Sequence, residues 1–476
     1  MGQEITLSQF DKADFEQFYQ RLKAETILLE KMLQNRQFSQ HSPMAGFEIE
    51  AWLVDEQMKP APINSEYLTG FNDPMAFLEL AKFNIELNSP ALALQNDVFS
   101  QLEQHLQSTW HRAYQHARQL NAHLLMIGTL PTLKIEDLTL KNISEMNRYF
   151  ALNEQILKAR GKPIHLEITG CEHLEHFHDD VMLEAATTSF QIHLQLPIDT
   201  AHHFYNASIM ASAPMVALSA NAPYLFGKDL WHETRIPLFE QAIETGGYNG
   251  VIHGPLKRVS FGSDYARQSI MECFTENLAH FPVLLPEKFD TEPEQFEHLR
   301  LHNGTIWRWN RPLIGFDEDG TPHIRVEQRT PAAGPTVIDT IANAVFFYGL
   351  TKSLGDALVN SAIILPFSQA KDNFYQAARF GLDSTIIWTD GHNTRLDKLL
   401  LEQLLPRAKA GLESLMIDGN DIEKYLGVIE QRVKTKQNGC QWQRQLMKNQ
   451  SVDFKTLVEQ YLANQQSGHP VSEWSV

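Results

Sequence analysis

The chain has 476 residues and 43% hydrophobic composition, enough for one large catalytic domain or for two or three smaller domains. Its 40 Lys+Arg and 58 Asp+Glu give a net charge of −18 that is dispersed along the sequence, which argues against nucleic acid or an anionic membrane surface as the main partner. The three cysteines are far apart and form no CxxC pair, so neither a disulfide framework nor a thiolate zinc site is expected.

The sequence carries no pattern typical of membrane insertion or export. No apolar run reaches the roughly 18 residues of a transmembrane helix, and the opening residues lack the apolar segment of a secretory signal. The low cysteine content fits a reducing compartment. We therefore expect a cytoplasmic protein that binds neither membranes nor nucleic acid, and its oligomeric state stays open.

The N-terminal part of the chain changes from helical to strand-like periodicity. Apolar residues at helical spacing predict a helix over the first ~35 residues. "GFEIEAWLVD" (46–55) then alternates with period two, which predicts a strand. Glu48 and Glu50 lie together on the face opposite to the apolar residues of this strand.

The next two segments repeat the change in periodicity. "FNIELNSP" (83–90) alternates as a short strand, with Glu86 on its polar face. Helical spacing then returns from Asp97, which is expected to be the N-cap, to about Leu125. "LLMIGTLPTL" (124–133) predicts an apolar strand that ends at a proline-containing loop.

Two later segments alternate as well. "SFQIHLQLP" (189–197) places His193 between two glutamines on its polar face. "HIRVEQRTP" (323–331) has one face that is charged throughout, formed by Arg325, Glu327 and Arg329.

The last third of the sequence is predicted to be mainly helical. A helix is expected to begin after Gly334-Pro335, where Thr336 and Asp339 resemble a capping box. From about Asn373 onward the pattern is mostly helical with polar interruptions. Because strands and helices do not alternate regularly, this order favours an α+β fold with a largely antiparallel sheet.

The four alternating segments share one feature, a polar face that carries charged or metal-binding residues. If the strands belong to one sheet, these faces form a single polar floor with four carboxylates, one imidazole and two guanidinium groups: Glu48, Glu50, Glu86, Glu327, His193, Arg325 and Arg329. Carboxylates that close cannot all stay ionised without cations. Oxygen ligands with one histidine suit Mg²⁺ or Mn²⁺ better than zinc.

A magnesium site of this kind points to a nucleoside triphosphate. Mg²⁺ usually accompanies ATP, and an arginine beside a metal-bound carboxylate can hold a phosphate oxygen. The pattern therefore predicts an ATP·Mg²⁺ site on the concave face of an antiparallel sheet. The competing interpretation is that each Glu-x-Glu or histidine is a solvated or hydrogen-bonded structural residue on an ordinary strand.

The ordered set of motifs resembles the glutamate–cysteine ligase family, in the branch shared by plant and many bacterial enzymes and by related carboxylate–amine ligases. The motifs run in family order from about residue 45 to 350: "GFEIEAWLVD", "FNIELNSP", "EMNRYFALN", "AATTSFQIHLQL", "NAPYLFG" and "IRVEQRTPAAGPTVIDTIANAVF". The resemblance implies a glutamine-synthetase-like fold, in which a curved antiparallel sheet forms a funnel flanked by helices. It also implies a chain divided into an N-terminal helical segment (1–45), a catalytic domain (46–365) and a C-terminal helical region packed on it (366–476).

The resemblance implies a role for each candidate residue. Glu48, Glu50, Glu86 and Glu327 fall on the metal-binding acidic positions of the family, and His193 falls close to the nucleotide and the metal. Arg329 matches the arginine that contacts the transferring phosphate, so Arg329 and Glu50 are the catalytic candidates. Arg325, Arg329 and His193 are then candidates for nucleotide binding, and Arg148 and Arg235 for anchoring a substrate carboxylate.

The implied reaction is ATP-dependent amide formation through an acyl phosphate, as in glutamate–cysteine ligase and glutathione biosynthesis. Glutamate would be activated at its γ-carboxylate and captured by an amine, with release of ADP and phosphate. Three alternatives stay open: another acid or amine on the same fold, a metal-dependent hydrolase that uses the same carboxylates, and a catalytically silent binding protein.

Three segments have no assigned role in this scheme. "HNGTIWRWNRPLIGFDEDGTP" (302–322) departs from the family, and either Arg308 or Arg311 meets an anionic substrate or the segment is a packed Trp hairpin with exposed arginines. "CEHLEHFHDD" (171–180) is predicted to be a polar surface loop, with a zinc site as the alternative. "GPLKRVSFGS" (254–263) matches no phosphate-binding loop but could contact phosphate or substrate.

Overall fold

The computed structural model describes residues 4–40, 43–245, 256–361 and 365–476. Its strands are, in chain order, β1 (Met44–Asp55), β2 (Ala76–Leu78), β3 (Asn84–Asn88), β4 (Leu92–Ala93), β5 (Ala122–Leu125), β6 (Ile164–Thr169), β7 (His173–His178), β8 (Phe190–Gln195), β9 (Tyr224–Leu225), β10 (Lys228–Asp229), β11 (Val259–Ser260), β12 (Trp307–Arg308), β13 (Asn310–Phe316), β14 (Pro322–Gln328), β15 (Thr385–Ile387) and β16 (Asn393–Arg395).

Helices surround these strands and make up most of the C-terminal third. They are α1 (Lys12–Gln34), α2 (Asn64–Phe71), α3 (Val98–Gln119), α4 (Asn147–Arg160), α5 (Ala201–Ser219), α6 (Arg235–Ala242), α7 (Met271–His280), α8 (Glu297–Gly304), α9 (Val337–Val359), α10 (Phe367–Phe380), α11 (Leu396–Leu399), α12 (Leu405–Ser414), α13 (Gly419–Thr435), α14 (Gly439–Gln450) and α15 (Phe454–Ser467).

One sheet of eight strands dominates the described part of the chain. Its main order is β13-β14-β8-β1-β3-β2, and β4 and β5 also pair with β1. Every pairing in this sheet is antiparallel. The sheet curls into a half-barrel with helices on its flanks, which confirms the predicted α+β class and the curved antiparallel sheet.

The apolar face of the central strand is buried as its alternation predicts. Phe47, Ile49, Ala51 and Leu53 of β1 are between 0% and 3% exposed. Helix α9 lies against β8, and its Tyr348 hydroxyl donates a hydrogen bond to the His193 carbonyl oxygen at 2.9 Å. Packing of α9 therefore holds the β1–β8 junction from the side opposite to the predicted polar floor.

Two predicted helix boundaries were wrong. Helix α1 begins only at Lys12, because the backbone N–H groups of Asp11 and Asp14 each donate to the carboxylate of the other residue as a capping box. Helix α3 ends at Gln119, not near Leu125, and the chain reverses at Asn121 with a φ of 55°.

The residues that follow the turn at Asn121 enter the sheet. Strand β5 pairs with the C-terminal end of β1, so the predicted apolar strand begins earlier and is shorter than 124–133. The apolar residues of this segment suit either periodicity, and pairing with β1 decides between them. Asp97 precedes α3, but its side chain bonds the Gln101 amide at 2.8 Å and does not cap the helix.

The C-terminal helices pack against α9. Thr336 caps α9 as predicted, since its hydroxyl accepts from the Asp339 backbone N–H. Asp339 also pairs with Arg432 of α13 at 2.8 Å, and both side chains are almost completely buried. The predicted domain boundaries stay a prediction. Among the described residues, no helix combines the length and the hydropathy that crossing a bilayer requires.

Candidate active site

The strand register brings the predicted site residues together on the sheet. Strands β14, β8, β1 and β3 are consecutive neighbours, so the four alternating segments do belong to one sheet. Glu50 lies opposite Glu86, and Glu327 lies opposite His193. Glu48 lies opposite Gln191, a residue that the sequence pattern left unassigned. The assumption behind the predicted polar floor is therefore confirmed.

A cavity of about 200 Å³ opens above this floor. Its polar lining includes Glu48, Glu50, Glu86, Arg325 and Arg329. The walls come mainly from α4, from the 3₁₀ turn Val181–Ala186, from α8 and from β12–β13. Together with residues outside these elements they add acidic, basic, polar and apolar side chains, including Glu79, Arg148, Tyr149, Leu152, Val181, Glu184, Gln191, Ile243, Leu285, Arg300, Leu301, Trp307, Arg311 and Ile314.

Three carboxylates form one cluster in this cavity. One oxygen atom from each of Glu50, Glu79 and Glu86 lies within 4.8 Å of the others. Both Glu50 oxygens are oriented by hydrogen bonds, from the Ser189 backbone N–H at 2.6 Å, the Ser189 hydroxyl at 2.8 Å and the Gln191 amide at 2.9 Å. The Glu86 Oε1 atom, in a residue that is 1% exposed, bonds no described residue.

The pKa values of this cluster reflect its uncompensated charge. Burial and the neighbouring Glu50 raise the pKa of Glu79 to about 7. Burial, together with Glu48, raises the pKa of Glu86 well above its usual value. Burial also raises the pKa of Glu50, although Arg329 and Ser189 oppose this shift. The cluster therefore retains protons unless a cation replaces them.

Glu48, His193 and Glu327 form a second cluster beside the first. The His193 Nε2 atom lies 3.4 Å from Glu48 and 3.7 Å from Glu327. Glu327 is also held by Arg311 through a bidentate pair at 2.9 and 3.1 Å, and by Arg329 at 3.0 Å. Burial alone would raise the pKa of Glu327, but Arg311 and Arg329 outweigh it and hold that pKa well below its usual value.

His193 is oriented by an arginine. Arg325 Nε donates to His193 Nδ1 at 3.0 Å, so the proton of a neutral imidazole lies on Nε2 and faces the two carboxylates. Burial lowers the pKa of His193 to about 4, against the attraction of Glu48. A metal ion can bind Nε2 only when the proton moves to Nδ1, and Arg325 must then release the ring.

The two clusters fit divalent cations. His193 Nε2 and Glu86 Oε1 are buried atoms without a hydrogen-bond partner among the described residues, and such atoms are costly unless a ligand occupies them. Five oxygen donors and one imidazole suit Mg²⁺ or Mn²⁺. The first cluster fits better, because Glu327 of the second is already compensated by two guanidinium groups.

Comparisons with known proteins identify the family of the chain. The family model described as glutamate-cysteine ligase family 2 matches residues 44–467. The chain belongs to glutamate-cysteine ligase family 2. A sequence comparison with curated proteins gives no match.

Solved structures share the fold of this family 2 chain. A glutamate–cysteine ligase (gshA) from Francisella tularensis in complex with AMP superposes with a TM-score of 0.57 at 11% identity, over 92% of this chain and 96% of that chain. A bifunctional glutathione synthetase from Pasteurella multocida superposes with a TM-score of 0.51 at 11% identity, over 92% of this chain and 54% of the other.

The two predicted carboxylate anchors of this family 2 chain lie in different places. Arg148 lines the cavity, where its Nη2 bonds the Tyr149 hydroxyl at 2.7 Å. Arg235 is 2% exposed and is absent from the cavity lining. It bonds Glu233 at 3.2 Å and the Thr330 carbonyl oxygen at 3.2 Å, so its position does not support the predicted contact with substrate.

Pattern reading missed several residues of the cavity. Glu79 directly follows the three-residue strand β2, and Glu184 lies in a 3₁₀ turn, so neither belongs to a visible alternation. Arg300 and Gln191 were missed as well. The one available signal was Gln191, two residues before His193 and on the same face of β8.

The three unassigned segments are only partly explained. Arg311 lines the cavity, whereas Arg308 pairs with Glu276 outside it. Both are buried, at 7% and 3% exposure, so the alternative of exposed arginines was wrong.

The segment 171–180 forms strand β7 of a hairpin with β6, not a loop. Within the described residues, none of its side chains belongs to a convergent set of metal-binding groups. In 254–263, the first two positions lie outside the described residues. Arg258 of that segment is buried against the Thr305 carbonyl oxygen and does not reach the cavity.

Proposed function

We propose that this family 2 chain is an ATP- and Mg²⁺-dependent carboxylate–amine ligase. Its reaction would resemble that of glutamate–cysteine ligase. One observation carries the proposal: four carboxylates, those of Glu48, Glu50, Glu79 and Glu86, line one cavity together with a set of arginines, and His193 and Glu327 lie beside Glu48 just behind the lining. The AMP in the Francisella ligase supports a nucleotide as one ligand. The other ligands would be a small-molecule acid and a small-molecule amine.

The reaction explains why the site needs a nucleotide and no nucleophilic side chain. A carboxylate is a poor acyl donor, because its leaving group would be oxide. In the proposed first step a carboxylate oxygen of the acid attacks the γ-phosphorus of ATP, and ADP leaves. The amine nitrogen then attacks the acyl carbon, phosphate leaves and an amide remains. With glutamate as the acid, the intermediate is γ-glutamyl phosphate.

Two sets of residues would hold the metal ions. Mg²⁺, or Mn²⁺, would be bound by Glu50, Glu79 and Glu86, and a second ion by Glu48, His193 and Glu327. When bound, these ions neutralise and orient the phosphate oxygens. Glu50 is the best placed of the six, because Ser189 and Gln191 already fix its carboxylate.

The arginines would position the reacting groups. Arg329 Nη1 is tied to Glu327 and Gln191, which leaves its Nε, a buried atom without a partner among the described residues, for a phosphate oxygen. Arg325, which bonds His193, is a second candidate for a phosphate contact. Arg148 would hold a carboxylate of the acid substrate.

Apolar residues of the cavity are suited to the nucleotide base and to the acyl phosphate. The lining includes Leu285, Leu301, Trp307 and Ile314, apolar side chains that would accept the nucleotide base. Leu152, Val181 and Ile243 also line the cavity and would keep water from the acyl phosphate. We place the enzyme in the cytoplasm, since three free cysteines fit a reducing compartment.

The proposal is tested by following nucleotide products. Purified protein is incubated with ATP, Mg²⁺ and a panel of amino acids, and ADP, AMP and amide product are measured. ADP that appears only with an acid and an amine together supports the ligase. AMP and pyrophosphate would contradict the acyl-phosphate route. Hydrolysis without an amine would favour a hydrolase, and Glu50→Gln should remove turnover while the protein stays folded.

A further inference from the structure

Glu184 is a cavity carboxylate that the proposed metal sites do not use. It lines the cavity from the 3₁₀ turn Val181–Ala186 and belongs to neither carboxylate cluster. Within residues 4–40, 43–245, 256–361 and 365–476, no group donates a hydrogen bond to its carboxylate. Glu184 is only partly buried, so its carboxylate is accessible from the cavity and can pair with a group of a bound ligand.

The surroundings of Glu184 indicate the charge of that ligand. Burial, reinforced by Glu50, raises the pKa of Glu184 to about 8, although Arg329 and Arg148 oppose the shift. Near neutral pH the Glu184 carboxyl group therefore holds a proton unless a cation compensates its charge. A cationic group that enters beside Glu184 would supply the missing counter-charge.

Arg148, Glu184 and apolar side chains lie at the same end of the cavity. Helix α4 contributes Arg148, Tyr149 and Leu152, and it packs against the turn that carries Glu184. The Arg148 guanidinium is fixed over the Tyr149 ring, 4.6 Å from its centroid. Besides Glu79, which belongs to the first carboxylate cluster, this end thus presents the Arg148 guanidinium and the Glu184 carboxylate next to apolar side chains, which matches the two opposite charges of an α-amino acid.

We propose that Glu184 binds the α-ammonium group, and Arg148 the α-carboxylate, of the amino acid whose side-chain carboxylate is phosphorylated. The assignment rests on the proposed ligase function. It concerns the acid and not the amine substrate, because a nitrogen held as an ammonium ion by a carboxylate has no lone pair for attack on the acyl carbon. Glu184 is then the residue that selects α-amino acids over simple dicarboxylic acids.

The test compares L-glutamate with glutarate, which lacks only the α-ammonium group. Binding of each acid is titrated by calorimetry in the presence of Mg²⁺ and a non-hydrolysable ATP analogue. We expect the wild type to bind L-glutamate at least about tenfold more tightly than glutarate. Hydrogen bonds to charged groups are worth about 1.5–3 kcal/mol, so Glu184→Gln should weaken L-glutamate binding by roughly 10- to 100-fold and leave glutarate binding almost unchanged.

Two further variants control the result. Glu145→Gln changes an exposed glutamate just before α4 and should bind both acids as the wild type does. Glu184→Asp keeps the charge and should recover part of the selectivity. Equal affinity of the wild type for the two acids, or an equal loss of both in Glu184→Gln, would overturn the assignment. Absence of ADP formation with every acid–amine pair would instead refute the ligase function, since the binding titration needs no turnover.

Discussion

Replacing Glu86 by glutamine should stabilise the metal-free protein and at the same time remove its response to Mg²⁺. One oxygen each of Glu50, Glu79 and Glu86 lies within 4.8 Å of the others, in a site where Glu86 is 1% exposed. Two unit charges 4.8 Å apart repel each other by about 3.5 kcal/mol at an effective dielectric constant of ~20. Glutamine keeps the shape of the side chain and removes one charge from two such pairs.

Proton uptake by the wild-type cluster makes the stability gained by Glu86→Gln smaller than this repulsion energy. The pKa of Glu86 is raised well above its usual value by burial and by Glu48, so the metal-free cluster holds a proton instead of a full charge. Holding that proton becomes more costly as the pH rises. We therefore expect Glu86→Gln to raise the free energy of unfolding by about 1–3 kcal/mol near pH 8, and by less near pH 6.

Thermal unfolding of the metal-free and the Mg²⁺-loaded protein measures both effects. The wild type should gain melting temperature on addition of Mg²⁺, because the ion binds only the folded protein. The Glu86→Gln variant should have a higher melting temperature than the wild type without metal, and its melting temperature should rise little on addition of Mg²⁺. Glu66→Gln, on an exposed position of α2, is the matched control and should behave as the wild type does. A metal-free variant that melts below the wild type at pH 8, or that keeps the full Mg²⁺ response, would refute this reasoning.

Three other outcomes are expected. Arg329→Ala should lower kcat by about 10³ with a much smaller change in KM, because an arginine on a transferring phosphoryl group acts in the transition state; steady-state ADP formation measures both. Mg²⁺ should bind more tightly as the pH rises through about 7, the raised pKa of Glu79, because the metal ion and the proton compete for the carboxylate. The melting temperature of the metal-free protein should fall over the same range. Calorimetric titration at several pH values checks the binding, and a Mg²⁺ affinity that does not change with pH would contradict the prediction. Arg235→Leu should destabilise the fold by about 3–5 kcal/mol, because buried Glu233 loses its partner; chemical denaturation measures the loss, and an unchanged stability with a raised KM would restore the substrate role.

The polar face of the sheet could be predicted because strand alternation is visible in the sequence. Period two assigns Glu48, Glu50, Glu86, His193 and Glu327 to the faces opposite to the apolar residues, and each of these faces has to lie away from the packed core. The register that pairs Glu50 with Glu86 and Glu327 with His193 depends on strands far apart in the chain. Only the ordered family motifs indicated that these strands share one sheet.

Residues outside regular strands could not be found in this way. Glu79 lies just beyond β2 and Glu184 lies in a 3₁₀ turn, so tertiary packing alone brings them into the cavity. Arg235 is the reverse case, since a matching motif predicted a substrate contact while the structure buries the residue and bonds its Nη2 to the Arg329 carbonyl oxygen. The end of α3 was misplaced for a related reason, because apolar residues after Asn121 fit a helix or a strand equally well.

Transfer of an oxygen isotope tests the central claim most directly. L-glutamate labelled with ¹⁸O in its γ-carboxylate is incubated with the enzyme, ATP, Mg²⁺ and cysteine, and the released phosphate is analysed by mass spectrometry. An acyl phosphate requires that one labelled oxygen of the carboxylate leaves with the phosphate. The account predicts one ¹⁸O atom in each phosphate released together with amide. Unlabelled phosphate, or label found in AMP, would contradict it.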